Sequence, residues 1–396
     1  MGISKAQARP PVQLGIDVLE ANHFSPIVSS SDAKSNKNKK IGLLTNQTGL
    51  DSRGRRTIDI LAHAPGLTLV AIFSPEHGLS GSFETTNIAD SRDPETGVPI
   101  YSVYGSTNAA RRPSPSIISQ LDAIVIDLQD VGARFYTYQT TLGYFLEAAD
   151  KKEVYVLDRP NPITGSMVQG PVSDPGRESF VNYAPTPIRA GLTIGELALF
   201  INTERLIHAK LQVIEMKGWK RTDWFDQTGL QWINPSPNLR NLTEATLYPG
   251  VALIEQTNVS VGRGTATPFE LIGAPWINPR KTAKYLNKRK IAGVKFASGE
   301  FTPKAGPYAG EPCQAIIIQL TDRNSLDSPE LGIELASALY KLYPKQFQID
   351  KMMALLNNQS TLDAIKKGTD PRSIAASWRD SLAKFSELRQ QYLLYK

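Results

Sequence analysis

The chain has 396 residues, 21% charged and 41% hydrophobic, with 44 Lys and Arg against 38 Asp and Glu for a formal charge of +6. That composition excludes a mainly disordered protein, and no apolar run approaches the ~20 residues needed to span a bilayer. The length exceeds the size at which one hydrophobic core usually stops growing, so a large domain followed by a smaller one is expected.

The positive charge is spread along the chain, and no basic stretch is interleaved with aromatics, so no nucleic-acid partner is expected. The lone Cys313 excludes an internal disulfide and a multi-cysteine metal site. His23, His63, His77 and His208 do not pair at ligand spacing, so neither a metal nor a cofactor is expected. In chain order, Met1 to Ala6 lacks the apolar core of a signal peptide. Ser29 to Lys40 is polar and low in complexity and reads as a solvated loop.

After it, short apolar runs alternate with helical patterns, as in βαβ units that build a parallel sheet covered on both faces. The predicted strands are Ile41 to Leu44, Leu67 to Phe73, Ala123 to Asp127, Val154 to Leu157 and Leu211 to Ile214. Helices are predicted near Arg56 to His63, Leu142 to Ala149 and Ile194 to Ile201, the last opening on a capping box with Thr193 as N-cap and Glu196 three residues on. Neither G-x-G-x-x-G nor a phosphate-binding P-loop occurs, which argues against a dinucleotide enzyme. Beyond Thr265, strands at Gly293 to Phe296 and Ala315 to Leu320 and helices at Pro329 to Leu342, Lys351 to Leu356 and Asp380 to Tyr392 indicate a smaller α/β domain. The expected fold class is therefore α/β: a doubly wound, mostly parallel sheet domain over 12–265 and a smaller one over 266–396, with a cleft at their junction.

Each predicted strand runs into a polar loop shaped by Gly or Pro, and such loops converge at the carboxyl edge of a parallel sheet. The first carries Asn46 and the second carries Glu76 and His77 between Pro75 and Gly78. A carboxyl group on that rigid turn suits proton donation to a leaving oxygen. The third loop carries Asp130, with Asp127 as a buried structural acid behind it, and then Arg134, Tyr136 and Tyr138. A guanidinium fork can grip a carboxylate with two hydrogen bonds, and flat rings offer a face to a sugar. The fourth loop carries Asp158, Arg159 and Asn161, stiffened by two prolines. Glu255, Asn258 and Arg263 fall near the expected domain junction. The candidate catalytic set is thus Glu76, His77 and Asp130, and the other named loop residues form the candidate substrate-binding set. No Gly-x-Ser-x-Gly elbow is present, so acyl transfer is poorly supported.

In this order the chain resembles the NamZ family of exo-β-N-acetylmuramidases. The matching stretches are Gly42 to Gly49, Phe73 to Gly78, Asp127 to Tyr138, Leu157 to Pro162, Gly191 to Leu197, Ser236 to Asn238, Tyr248 to Gly250, Glu255 to Thr265, Pro268 to Trp276 and Phe385 to Tyr395. The resemblance implies a Rossmann-like domain followed by a smaller one. It also implies release of N-acetylmuramic acid from the non-reducing end of peptidoglycan fragments, with Glu76 as the catalytic residue. Muramic acid oligosaccharides are then the expected partners. Export to the periplasm or beyond is expected of the precursor, with a cytoplasmic location as the alternative. A site selective for the lactyl carboxylate needs an arginine, and Arg134 and Arg263 are the candidates. Two positions depart from the pattern: Ala190 stands where relatives carry histidine, and Ser82 to Asn87 lacks their Gly-Glu pair. The competing reading is a non-catalytic wall-fragment binding protein on the same fold.

Overall fold

The computed structural model describes residues 10–28 and 37–396. The readings made of Met1 to Ala6 and of residues 29–36 lie outside the described residues.

The first lobe opens with helix α1 (Gly15–Ala21), strand β1 (Lys39–Thr45), α2 (Thr57–Ala62), β2 (Leu67–Ser74), the short β3 (Ser91–Arg92) and β4 (Pro99–Ser102). It continues through α3 (Pro115–Ile118), β5 (Ala123–Asp127), α4 (Tyr138–Ala148), β6 (Glu153–Leu157), the ribbon β7 (Gln169–Val172) and β8 (Pro187–Arg189), α5 (Ile194–Glu204) and β9 (Lys210–Ile214). Among the described residues the main sheet runs β3-β4-β2-β1-β5-β6-β9, parallel throughout except at the β3–β4 edge.

Strand alternation feeds two cores. Ile124 and Ile126 of β5 and Val154 and Val156 of β6 face one core, while Ala123, Val125, Tyr155 and Leu157 face the other. All five positions of β5 are buried, which is why these strands read as apolar runs and not as alternating ones. The five strands expected from the sequence are all present in the sheet. Helix α5 starts on the expected capping box: Thr193 accepts from the Glu196 amide and Glu196 accepts from the Thr193 amide. Helix α4 begins at Tyr138, a turn earlier than its apolar pattern indicated.

The chain moves from β1 outward to β2 and β4, then returns to place β5 on the opposite side of β1. That reversal opens a crevice above the carboxyl ends of β1 and β5, the place where open parallel sheets bind ligands.

The second lobe contains α6 (Leu242–Val251), β10 (Leu271–Ala274), α7 (Pro279–Arg289), β11 (Val294–Phe301), β12 (Cys313–Leu320) and α8 (Ser328–Leu342), followed by α9 (Met353–Leu356), α10 (Gln359–Lys366), α11 (Pro371–Ser377) and α12 (Arg379–Arg389). Its three strands form an antiparallel sheet in the order β10-β12-β11. The lobes are not insulated from each other. A single apolar cluster runs from Leu44 and Phe73 through Tyr248 and Phe269 to Ile316 and Leu335. The chain's end also returns to the first lobe, where the Tyr395 hydroxyl donates to Asp158 at 2.6 Å and accepts from the Met216 amide at 2.9 Å. Among the described residues no helix is long and apolar enough to cross a membrane.

Candidate active site

Strand β2 delivers the chain to Ser74, and Pro75, Glu76, His77 and Gly78 then reverse it. His77 and Gly78 both take left-handed backbone angles, with φ of 72° and 71°, and the Gly78 amide closes the turn on the Pro75 carbonyl at 3.0 Å. Glycine adopts that conformation freely, whereas at His77 it costs on the order of 1 kcal/mol or more. The turn's hydrogen bonds sustain that strain and leave Glu76 at its tip.

Both oxygens of the Glu76 carboxyl are engaged. Oε1 accepts from the Tyr104 hydroxyl at 2.8 Å, and Oε2 accepts from the Thr137 hydroxyl. Tyr104 follows the edge strand β4, and Thr137 directly precedes α4. Burial, with the Glu76 charge beside it, holds the Tyr104 phenol well above its usual range, so it remains a proton-bearing donor.

Glu76 opens into a cleft of about 280 Å³ whose wall includes His77, Phe83, Glu84, Tyr104 and Arg263. The His77 ring meets the Phe83 carbonyl through Nδ1 at 2.7 Å, and the Phe83 amide donates back to His77 O at 3.2 Å. Because a carbonyl only accepts, Nδ1 carries the proton in that bond. Glu84 accepts from Asn238 Nδ2 at 2.5 Å. Glu255 forms an ion pair with Arg263 Nε, so that pair borders the cleft.

Behind the cleft, Asn46 donates to the Tyr138 hydroxyl at 2.7 Å. The Tyr136 and Tyr138 hydroxyls both donate to the Pro235 carbonyl at 2.8 Å, and Gln47 donates to the Asn234 carbonyl at 2.7 Å. Gln47, Tyr136 and Tyr138 therefore fix the segment at residues 234–235 across the crevice, with Asn46 bonded to Tyr138, and Asn46, Tyr136 and Tyr138 do not line the Glu76 cleft.

Several expectations are corrected. Arg134 is buried, and its terminal nitrogens donate to the carbonyls of Pro171, Thr186, Leu355 and Leu356 at 2.7 to 3.2 Å. It ties segments together and presents no free edge to a sugar. Asp130 accepts from the Gly132 amide at 2.8 Å and from Gln139, and it lines a different hollow of about 230 Å³ with Thr48, Gln129, Arg159 and Trp232. The expected Glu76 and Asp130 pair thus does not share a cavity. Burial pushes the Asp130 carboxyl up to about 6.

Arg159 is paired with the buried Asp127 at 2.5 Å and donates to the Leu50 carbonyl. Asp158 accepts from Thr193, the Gly195 amide and Tyr395, anchoring the start of α5. Asn161 donates to the Leu192 carbonyl at 2.9 Å and accepts from the Ile163 amide at 3.1 Å. Asn258 is spent on the backbone of Gln346 and Gln348. These four brace loops by the bonds they make. Sequence reasoning missed Tyr104 and Thr137 as partners of the acid: β4 is too short to signal itself, and a threonine before a helix reads first as a cap.

Among the described residues no group of three or more His, Cys, Asp or Glu side chains is placed to hold a metal ion. A larger groove of about 820 Å³, lined by apolar side chains such as Leu79, Ile88 and Ile100, adjoins the cleft through Phe83. Carboxyl, phenol and guanidinium groups converge in the smaller space.

Comparison with known proteins places the chain in a family. Residues 41–243 match the family model described as exo-beta-N-acetylmuramidase NamZ, N-terminal, and residues 246–395 match the model of its C-terminal part. The chain is 39% identical to the peptidoglycan beta-N-acetylmuramidase NamZ of Bacillus subtilis (strain 168), over 98% of this chain and 92% of that protein. Two crystal structures of DUF1343 family proteins from Bacteroides fragilis NCTC 9343 share the fold over 98% of this chain. One has a TM-score of 0.86 at 33% identity over 100% of its length, and the other 0.76 at 30% over 99%.

Proposed function

Since the chain belongs to the NamZ family of exo-beta-N-acetylmuramidases and is a glycoside hydrolase, we propose that it removes N-acetylmuramic acid from the non-reducing end of peptidoglycan fragments, with Glu76 as general acid. The observation that carries the role of Glu76 is its setting: a carboxyl group on a rigid strand-end turn, gripped at both oxygens by hydroxyls and facing a cleft of sugar dimensions. Tyr104 stays protonated and stabilises the carboxylate left after proton transfer to the glycosidic oxygen. A hydroxyl both accepts and donates, so Thr137 serves Glu76 in its acid and base forms alike.

Glu84 is a second carboxylate facing the cleft, while Glu255 is ion-paired with Arg263. The substrate's acetamido group is the other nucleophile available to a substrate-assisted glycosidase. Membership of a hydrolase family sets aside the alternative of a non-catalytic binding protein.

Glu76→Gln tests the assignment. It should lower release of N-acetylmuramic acid from a muramic acid–glucosamine disaccharide by roughly 10²- to 10⁴-fold while leaving the melting temperature in place. Turnover like that of the unaltered protein would remove Glu76 from the mechanism.

A further inference from the structure

Muramic acid differs from glucosamine by its lactyl carboxylate, so an enzyme that selects it needs a cation with open donors near the acid. The two arginines singled out from the sequence do not supply one. Arg134 gives its terminal nitrogens to four carbonyls. Arg263 faces the cleft, but it is already ion-paired through its Nε with Glu255. With Glu76 and Glu84 also present, the cleft wall carries more acid than base.

A third arginine has the missing properties. Arg111 ends the short 3-10 turn Ala109–Arg111, and its Nε donates to the Gly105 carbonyl at 2.7 Å. Its guanidinium lies 4.2 Å from the centre of the Phe180 ring, and that ring is 6.0 Å from the ring of Tyr104. The positive charges of Arg111 and Arg263 both act on the Tyr104 phenol, which donates to Glu76. Among the described residues nothing accepts from the two terminal nitrogens of Arg111, which is half-buried. Its neighbour Arg112 is instead paired with Glu147.

The turn is fixed as well as placed. The Tyr144 hydroxyl donates to Asn108 Oδ1 at 2.8 Å, which ties the turn to α4, the helix that Thr137 precedes. Arginine and acid are thus both positioned from one helix. A guanidinium stacked on a ring and held through Nε presents its two outer N–H groups as a ready fork for a carboxylate.

We infer that Arg111, one residue layer behind Tyr104, grips the lactyl carboxylate of the substrate and sets the preference for muramic acid over glucosamine. The inference rests on the muramidase reading. It requires that the lactyl group lie on the Tyr104 side of the cleft, with the glycosidic oxygen toward Glu76.

The test pairs enzyme variants with substrate variants. An aryl β-glycoside of N-acetylmuramic acid, its lactyl methyl ester and the matching N-acetylglucosamine glycoside are assayed with the unaltered protein, Arg111→Ala and Arg111→Gln. The glutamine variant keeps bulk over Phe180. For the unaltered protein, kcat/KM should fall roughly 10- to 100-fold on esterification, the span of one charge-assisted hydrogen bond, mainly through KM. Both variants should lose a similar factor on the free acid and respond little to esterification. If the variants are as sensitive to the ester as the unaltered protein, Arg111 does not read the carboxylate. If the unaltered protein releases no muramic acid at all, the muramidase reading itself fails, a result separable from the first.

Discussion

A carboxyl group gripped at both oxygens cannot swing out of line, and Glu76 is held in this way by two hydroxyls while facing an open cleft. Tyr104→Phe removes one grip while keeping the ring. It should lower kcat by about 10-fold or more, the worth of a hydrogen bond to a charged group. KM for the disaccharide should change much less, and steady-state kinetics separates the two. Asp130 offers a test of a different kind. It titrates near 3.8 in the unfolded chain and is pushed up to about 6 by burial in the native one. Between those values the native state keeps a proton that the unfolded chain has released, so stability is fully present below about pH 4 and drains away as pH rises through 6. The span is at most about 3 kcal/mol. Urea denaturation from pH 4 to 7 should show a flatter profile for Asp130→Asn, and parallel profiles would refute the assignment. The turn that carries Glu76 was legible from the sequence because its chemistry is local: proline before, glycine after, an apolar strand leading in. Arg134 was misread because a guanidinium among aromatics looks alike whether it faces a sugar or four buried carbonyls. Only the three-dimensional partners distinguish the two.

At the scale of elements, two devices hold the scaffold under the site. Thr193 caps α5 and also donates to Asp158, so Thr193→Ala should cost about 1 kcal/mol from the cap alone, and more from the carboxylate left short of a donor. Helices α6 and α8 meet through glycines. A Cβ placed on Gly250 would come within 1.8 Å of the Ser328 carbonyl oxygen, and one on Gly332 within 2.4 Å of Gly250 O. Gly250→Ala should therefore destabilise by about 3 kcal/mol or more, read from the midpoint of thermal or urea unfolding. The interior strands were legible because burial on both faces makes them continuous apolar runs. The edge pair β3 and β4, the β7–β8 ribbon and α6 were not. The first are too short to carry a period, Gly170 and Pro171 interrupt β7, and α6 contains Pro249 followed by Gly250, a pair that reads locally as a turn. Tertiary contact overrides that local signal: Ser328 Oγ accepts from the Gly250 amide and donates to the Leu247 carbonyl.

Across the whole molecule, the shared core and the returning chain end make the two lobes one cooperative body. Arg134 is the clearest tie, since its guanidinium joins the β7–β8 region to residues 355–356 of the second lobe. Arg134→Met would strand four carbonyls and should lower stability by about 3 kcal/mol or more, with the muramic acid to glucosamine preference unchanged. Calorimetry should show one transition for the unaltered protein, and two resolved transitions would mean the lobes unfold independently. The clasp between Tyr395 and Asp158 has a further consequence for biosynthesis. The partners are separated by 237 positions, so at ~5 to 20 residues per second a ribosome needs roughly 12 to 47 s after making Asp158 before its tyrosine exists. The nascent sheet must wait through that interval with an acid still lacking one of its donors, and commitment to the native state arrives late in translation.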